Sequence, residues 1–241
     1  MGTLPLLTAL AVTGASAGGL WLAGAAMAAF LVHEPLLLVL GQRGARRAEK
    51  DGARAWRWGS LLAALGALCF VAGMASMQPA ARPFLALPLL LGSGVLLLVW
   101  GRQERTAAGE VLAALALSAW AVPVALAGGL AVDAALTLWG TFSLSFGLAI
   151  LAVRLVIRAG KPGANRTRLR LLGVVGVGVT LALAVGLALL FGVPPGRVMA
   201  LGPSGLAALG CCAVLPSPRR LRTVGWSLAG ASLLTAVLLG I

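Results

Sequence analysis

The sequence has no tyrosine, one histidine, three cysteines and only six acidic residues among 241. Each scarcity removes a class of function. The lone histidine, His33, excludes a bis-histidine haem and any zinc site built on several histidines. Cys69, Cys211 and Cys212 show no Cys-x-x-Cys spacing and lie in apolar stretches, so they read as reduced thiols used as small hydrophobes. So few carboxylates leave little from which to build a proton or cation relay inside a membrane. Charged residues make up 10% of the chain, against about 25% in an ordinary soluble domain. No P-loop exists, because Gly160-Lys161-Pro162-Gly163 lacks the earlier glycine and the Ser/Thr after the lysine. His-Glu-x-x-His and Gly-x-Ser-x-Gly motifs are also missing.

What the chain does have is length in its apolar runs. Sixty per cent of its residues are hydrophobic and the mean hydropathy is +1.02. The runs suit helices of about 20 residues, enough for a hydrocarbon core of roughly 30 Å. They are rich in Leu, Ala and Gly and do not alternate polar with apolar, which favours helices over a barrel. The 33 glycines suit close helix contact in lipid. The expected fold is an all-α polytopic bundle of about nine spans (eight to nine), over a single integral membrane domain of residues 1–241. The spans fall at about 3–17, 18–40, 59–78, 84–101, 108–127, 134–157, 170–192, 198–216 and 223–241, the first of them short. The start resembles a signal peptide ending at Ala15-Ser16-Ala17, but lacks a positive n-region, which predicts that it is retained.

The net charge of +13 does not point to nucleic acid, because the cations sit in short connectors between spans. Every second connector is basic. Loops 41–58 and 158–169, with the shorter 102–107 and 217–222, hold most of the Arg and Lys, whereas 79–83, 128–133 and 193–197 hold Arg82, Asp133 and Arg197. The positive-inside rule makes the basic set cytoplasmic, the N-terminus inside and the C-terminus outside. The basic loops also suit anionic lipid. The larger ones follow the second and sixth spans, an echo of topology rather than of residues. Trp56, Trp58, Trp100, Trp120, Trp139 and Trp226 lie near span ends, as interfacial indoles do. Gly14 and Gly18, and Gly173, Gly176 and Gly178, mark close helix packing. Asn165-Arg166-Thr167 is a sequon in a cytoplasmic loop and is expected to stay unmodified.

Two sets of residues are candidates for chemistry. Glu34 lies roughly 9 Å inside the end of the second span, where an ionisable group is costly and functional by default. Pro35 removes a backbone donor opposite Leu31, which can open a polar pocket beside Glu34 and His33. The plainer alternative is that Glu34 pairs with an arginine of the next loop and anchors the helix, and that His33 is a hydrogen-bonded structural residue. The second set is Arg43, Arg46, Arg47 and Arg54 of one loop with Arg154 and Arg158, four apart on one face of the sixth span. Arginine forks suit a phosphate head group. The plainer alternative is the topology signal with lipid contact.

Around FLVHEPLLLVLGQRGARRAEKDGARAWRWG the chain resembles the YwiC-like family of bacterial membrane proteins, with weaker support from WGTFSLSFGLAILAVRLVIR. The resemblance implies a multi-pass protein of the bacterial inner membrane. Members begin with a basic His-Gly-Ala-Trp motif that is missing here, which predicts a shortened start. The topology also resembles the UbiA superfamily of intramembrane prenyltransferases, which have nine helices, an inside N-terminus and functional loops after helices 2 and 6. That resemblance implies a lateral cavity for an isoprenoid diphosphate. The Asp-rich magnesium motifs of those enzymes are absent: His33, Glu34 and an apolar run stand at the first, and residues 158–170 at the second carry no carboxylate. No cofactor is therefore expected, and magnesium does not suit the site. The readings are a divergent prenyltransferase-like protein binding an isoprenoid or other lipid with a phosphate head, a small transporter or permease, and a non-catalytic accessory subunit. Tags placed at Lys50 and Gly163 are expected to report from the same, cytoplasmic compartment in an accessibility assay.

Overall fold

A computed structural model describes residues 2–103 and 105–240. The described residues are helical throughout, with turns between helices and no strand. Eight helical segments are long and apolar enough to cross a membrane, and Leu4–Thr13 is a shorter apolar helix before them. The expected eight to nine spans with a brief first one are therefore present. At 1.5 Å per residue that first helix is about 15 Å long, half of what a bilayer core needs.

The described residues form two compact units, one of them Gly2–Leu136 and the other beginning at Thr137. The first unit holds α1 (Leu4–Thr13), α2 (Ala17–Val39), α3 (Ala45–Ser76), a 3-10 segment (Pro79–Leu85) that runs into α4 (Ala86–Trp100), then α5 (Ala107–Ala119) and α6 (Ala121–Ala127). Pro123 explains the break between α5 and α6, because its ring crowds the carbonyl of Ala119 and it has no N–H to offer. Trp120 stands at this break with its ring edge-on to Phe70, centroids 6.4 Å apart, so it packs inside the unit as well as lying near a span end. Ser16 caps α2 by accepting from the Gly19 N–H and donates to the Ala127 carbonyl, which ties α2 to α6.

Within the first unit, α2 and α3 pack along much of their length. The seam on α3 is Gly59, Gly66 and Gly73, each seven residues from the next, with Cys69 and Ser76 between and beyond. A methyl group added at Gly59 would meet Pro35 at 3.2 Å, at Gly66 it would meet Ala28 at 3.0 Å, and at Gly73 it would meet Leu22 at 2.7 Å. Gly24 packs on Cys69 and Gly18 on Ser76. The two helices thus run antiparallel with small residues letting the backbones approach, and the seven-residue period matches a left-handed crossing. Of the Gly14–Gly18 pair, Gly18 packs in this way. Gly14 has φ 72° and ends α1, so it serves a turn.

The second unit contains most of α7 (Val132–Ala159), then α8 (Arg166–Leu190), α9 (Pro195–Met199), α10 (Gly202–Val214), a 3-10 turn (Pro218–Arg220) and α11 (Leu221–Gly240). Its core joins Leu148, Ala152 and Val156 of α7 to Val177 of α8, Cys212 of α10 and Leu228 of α11. Gly173 lies against Cys212 and Gly176 against Leu151, as expected for packing glycines, whereas nothing lies within 4 Å of the position a side chain at Gly178 would take. A buried hydrogen bond of 3.0 Å joins Ser204 to Thr235. Asn165 of the sequon caps α8 by accepting from the Arg168 N–H at 2.9 Å.

Both large basic connectors are shorter than the sequence suggests. Residues 45–58 are the opening turns of α3, and the chain between α7 and α8 is residues 160–165. Hydropathy marks where a helix leaves the membrane, not where it ends, and Ala, Arg, Lys and Glu are strong helix formers. In thermal unfolding in detergent, Gly73→Val is expected to cost about 1–3 kcal/mol by overpacking the seam. Gly92→Ala, where no atom lies within 4 Å of the new methyl, is the matched control and is expected to leave the midpoint unchanged or raised.

Candidate functional site

The first unit gathers its polar groups where α2 and α4 end. The two helices finish on nearly the same peptide, Leu36–Arg43 reading LLLVLGQR and Leu96–Gln103 reading LLLVWGRQ. Both close with paired hydrogen bonds from beyond the helix. In α2 the Gln42 N–H reaches the Leu37 carbonyl at 3.0 Å and the Gly41 N–H reaches Leu38 at 3.0 Å. In α4 the Gln103 N–H reaches Leu98 at 2.8 Å and the Arg102 N–H reaches Val99 at 3.0 Å. This is the Schellman pattern, which puts one residue in the left-handed region, normally glycine. Gly41 fills that place after α2 with φ 70°. After α4 the turn falls one residue later relative to the shared peptide, so Arg102 is left-handed at φ 56° although Gly101 stands beside it. A side-chain-bearing residue there costs roughly 1–2 kcal/mol, and strain of this kind concentrates at functional sites.

The two ends are tied together. The Gln42 side-chain amide donates to the Val99 carbonyl, one of the acceptors that a helix leaves at its last turn. Next to this tie lies a cavity of about 240 Å³ lined by Gly41, Gln42, Gly44, Arg102 and Arg105. The described lining offers guanidinium and amide donors, a set that suits an anion.

Glu34 and Arg43 meet. The Arg43 Nε donates to Glu34 Oε2 at 3.2 Å, and the second donor of the same guanidinium bonds Oε1, a two-pronged pair. The Glu34 side chain is 66% exposed and that of Arg43 28% exposed. Of the two readings of Glu34, the pairing with an arginine of the following turn is the arrangement present. α2 continues through Pro35, whose ring faces Gly59 of α3 rather than an opening in the helix. The polar cavity lies instead at the turn that follows α2. His33 is half-buried and engaged by its surroundings.

The arginine candidates separate. Arg43 stands between two lining residues, while Arg46, Arg47 and Arg54 are exposed on α3. Arg154 and Arg158 belong to α7 of the second unit, and the cavity of the first unit is built without them. In the second unit Arg166 donates to the Leu215 carbonyl and Arg170 to Val214 at 3.4 Å, so two cations of the second basic segment satisfy the end of α10. Gln42, Arg102 and Arg105 were outside the candidate set that the sequence suggested. The repeated LLLV-x-Gly peptide, sixty residues apart, is the signal that points to them.

Residues 1–126 match the family described as YwiC-like protein. The chain belongs to the YwiC-like family. The matched segment contains both Schellman turns, Gln42, Glu34, Arg43 and the cavity. No curated protein and no solved structure matches the chain. With eight membrane-length apolar helices, this YwiC-like chain is an integral, multi-pass membrane protein.

In thermal unfolding, Arg102→Gly is expected to leave stability unchanged or raise it by up to about 1 kcal/mol, because glycine removes the left-handed penalty while adding unfolded-state entropy. Gly41→Val is expected to lower it by about 1–2 kcal/mol.

Proposed function

We propose that this YwiC-like protein holds a lipid with a phosphate head, with an isoprenoid phosphate or diphosphate as the first candidate, and that the head group occupies the cavity between the ends of α2 and α4. The observation that carries this reading is the donor set around that space: Arg102 in a strained backbone pose, Arg105, and the Gln42 amide, with no carboxylate in the described lining. The surface of the same unit is apolar along α3 and α4, with Leu61, Leu65, Leu68, Leu90 and Leu97 exposed, so a hydrocarbon tail has a path beside the helices. The likeness of the span count to the prenyltransferase bundle favours an isoprenoid tail. The described lining holds no carboxylate, so the proposal is binding of the phosphate head, with no transfer step assigned.

A non-catalytic subunit also accounts for the Glu34–Arg43 pair. It gives no role to a donor-lined cavity with a left-handed arginine in its wall. The basic turns of the unit are taken to face the cytoplasm of a bacterial cell, as the charge pattern indicates.

The test is thermal unfolding in detergent with prenyl phosphates, prenyl diphosphates and inorganic diphosphate, with and without magnesium. Ligand at a hundredfold excess over Kd is expected to stabilise the wild type by about 2.7 kcal/mol. The shift should be independent of magnesium and should be lost in Arg102→Gln and Arg105→Gln. No shift in the wild type, or an equal shift in both variants, removes the reading. A shift with inorganic diphosphate equal to that with the prenyl compounds removes the lipid tail from it.

A further inference from the structure

The opening turns of α3 carry five cations, Arg46, Arg47, Lys50, Arg54 and Arg57, and all five are exposed. At 100° per residue they fall within a single arc of about 100°. The half-buried positions Ala48, Ala55 and Gly59 lie on the far side of the helix, and Glu49 and Asp51 fall outside the arc, one beyond each edge. Among the described residues none of the five cations has an ion-pair partner. Like charges crowded on one helix face repel. Glu49, three residues from Arg46, and Asp51, four from Arg47 and three from Arg54, offset only part of this. The stripe thus retains an excess of positive charge for counter-charge to meet.

The position of the stripe identifies that counter-charge. The same helix becomes apolar directly after Trp58, and Trp56 and Trp58 are 65% and 54% exposed. Indoles favour the head-group level. Arg57 and Arg54 therefore lie at that level, and the stripe rises about 17 Å from Arg57 to Arg46, about two screening lengths at physiological salt. An acidic polypeptide would have to find this face by diffusion. The anionic surface of the bilayer is held beside it by the helix that crosses the membrane.

We propose that this stripe docks on anionic phospholipid head groups of the membrane that α3 enters. The contact steadies the turns of α3 nearest the membrane, around Arg54 and Arg57, while the cations further out add less because they lie up to about two screening lengths away. It does not depend on whether the cavity holds a phosphate.

Each cation near an anionic surface strengthens binding roughly fivefold. The full-length protein is reconstituted in phosphatidylcholine nanodiscs and in nanodiscs containing phosphatidylglycerol, and amide hydrogen exchange is followed over residues 45–58. Exchange there is expected to be at least about fivefold slower with phosphatidylglycerol, and high salt should erase the difference. The variant R46Q/R47Q/K50Q/R54Q/R57Q should show no lipid dependence while keeping slow exchange across residues 59–76, which separates lost docking from lost folding. If that variant does not fold, the salt response of the wild type decides alone. Equal exchange in both lipids, a difference that survives high salt, or one that survives in a folded variant overturns the proposal. Slowing by added polyglutamate in neutral nanodiscs, with none from phosphatidylglycerol, overturns it in favour of an acidic polypeptide partner.

Discussion

Close approach of α2 and α3 is the constraint on which the first unit rests. In lipid, apolar side chains gain little by meeting one another, so helices associate through van der Waals contact, interhelical hydrogen bonds and backbone proximity. Glycine at every seventh position of α3 supplies that proximity, and Leu22, Ala28 and Pro35 of α2 fill the hollows. Pro35 shows how far the seam governs local chemistry. A proline within a helix is usually read as a place where the helix opens. Here the facing residue is Gly59, and the ring has room inside the pair.

Holding α2 firmly against α3 fixes where α2 stops, and the polar chemistry of the unit begins there. Two helices that end on matching peptides expose their last carbonyls in the same region. The Gln42 amide reaches one of those carbonyls, and Arg102 and Arg105, both from the chain after α4, line the space beside it. The Glu34–Arg43 pair belongs to the same construction. Its exposure means that it adds little to stability by itself, but it directs one guanidinium back along α2.

The membrane class, the number of helices and their approximate ends were legible in the sequence because long apolar runs have few alternative folds. The loop boundaries were not, since Ala45 to Trp58 is polar enough to leave the membrane and helical enough to continue α3. Glu34 and Arg43 were visible as candidates, and their pairing was one of two open possibilities. Arg102 and Arg105 were read as a charge signal alone, because their role depends on a turn displaced by one residue from its counterpart at Gly41. No composition or hydropathy measure detects such a displacement. The glycine period of α3 was present in the sequence, but its meaning depends on what faces it.

The amide of Gln42 has a double position. It fastens the end of α4 through the Val99 carbonyl, and it forms part of the cavity wall. Its nitrogen carries two N–H donors, so an occupant can take the second while the first stays on Val99, and the occupant then bears on the clasp through one side chain. Filling the space and keeping the α2–α3 and α4–α5 hairpins buckled together are, for that reason, not separate events.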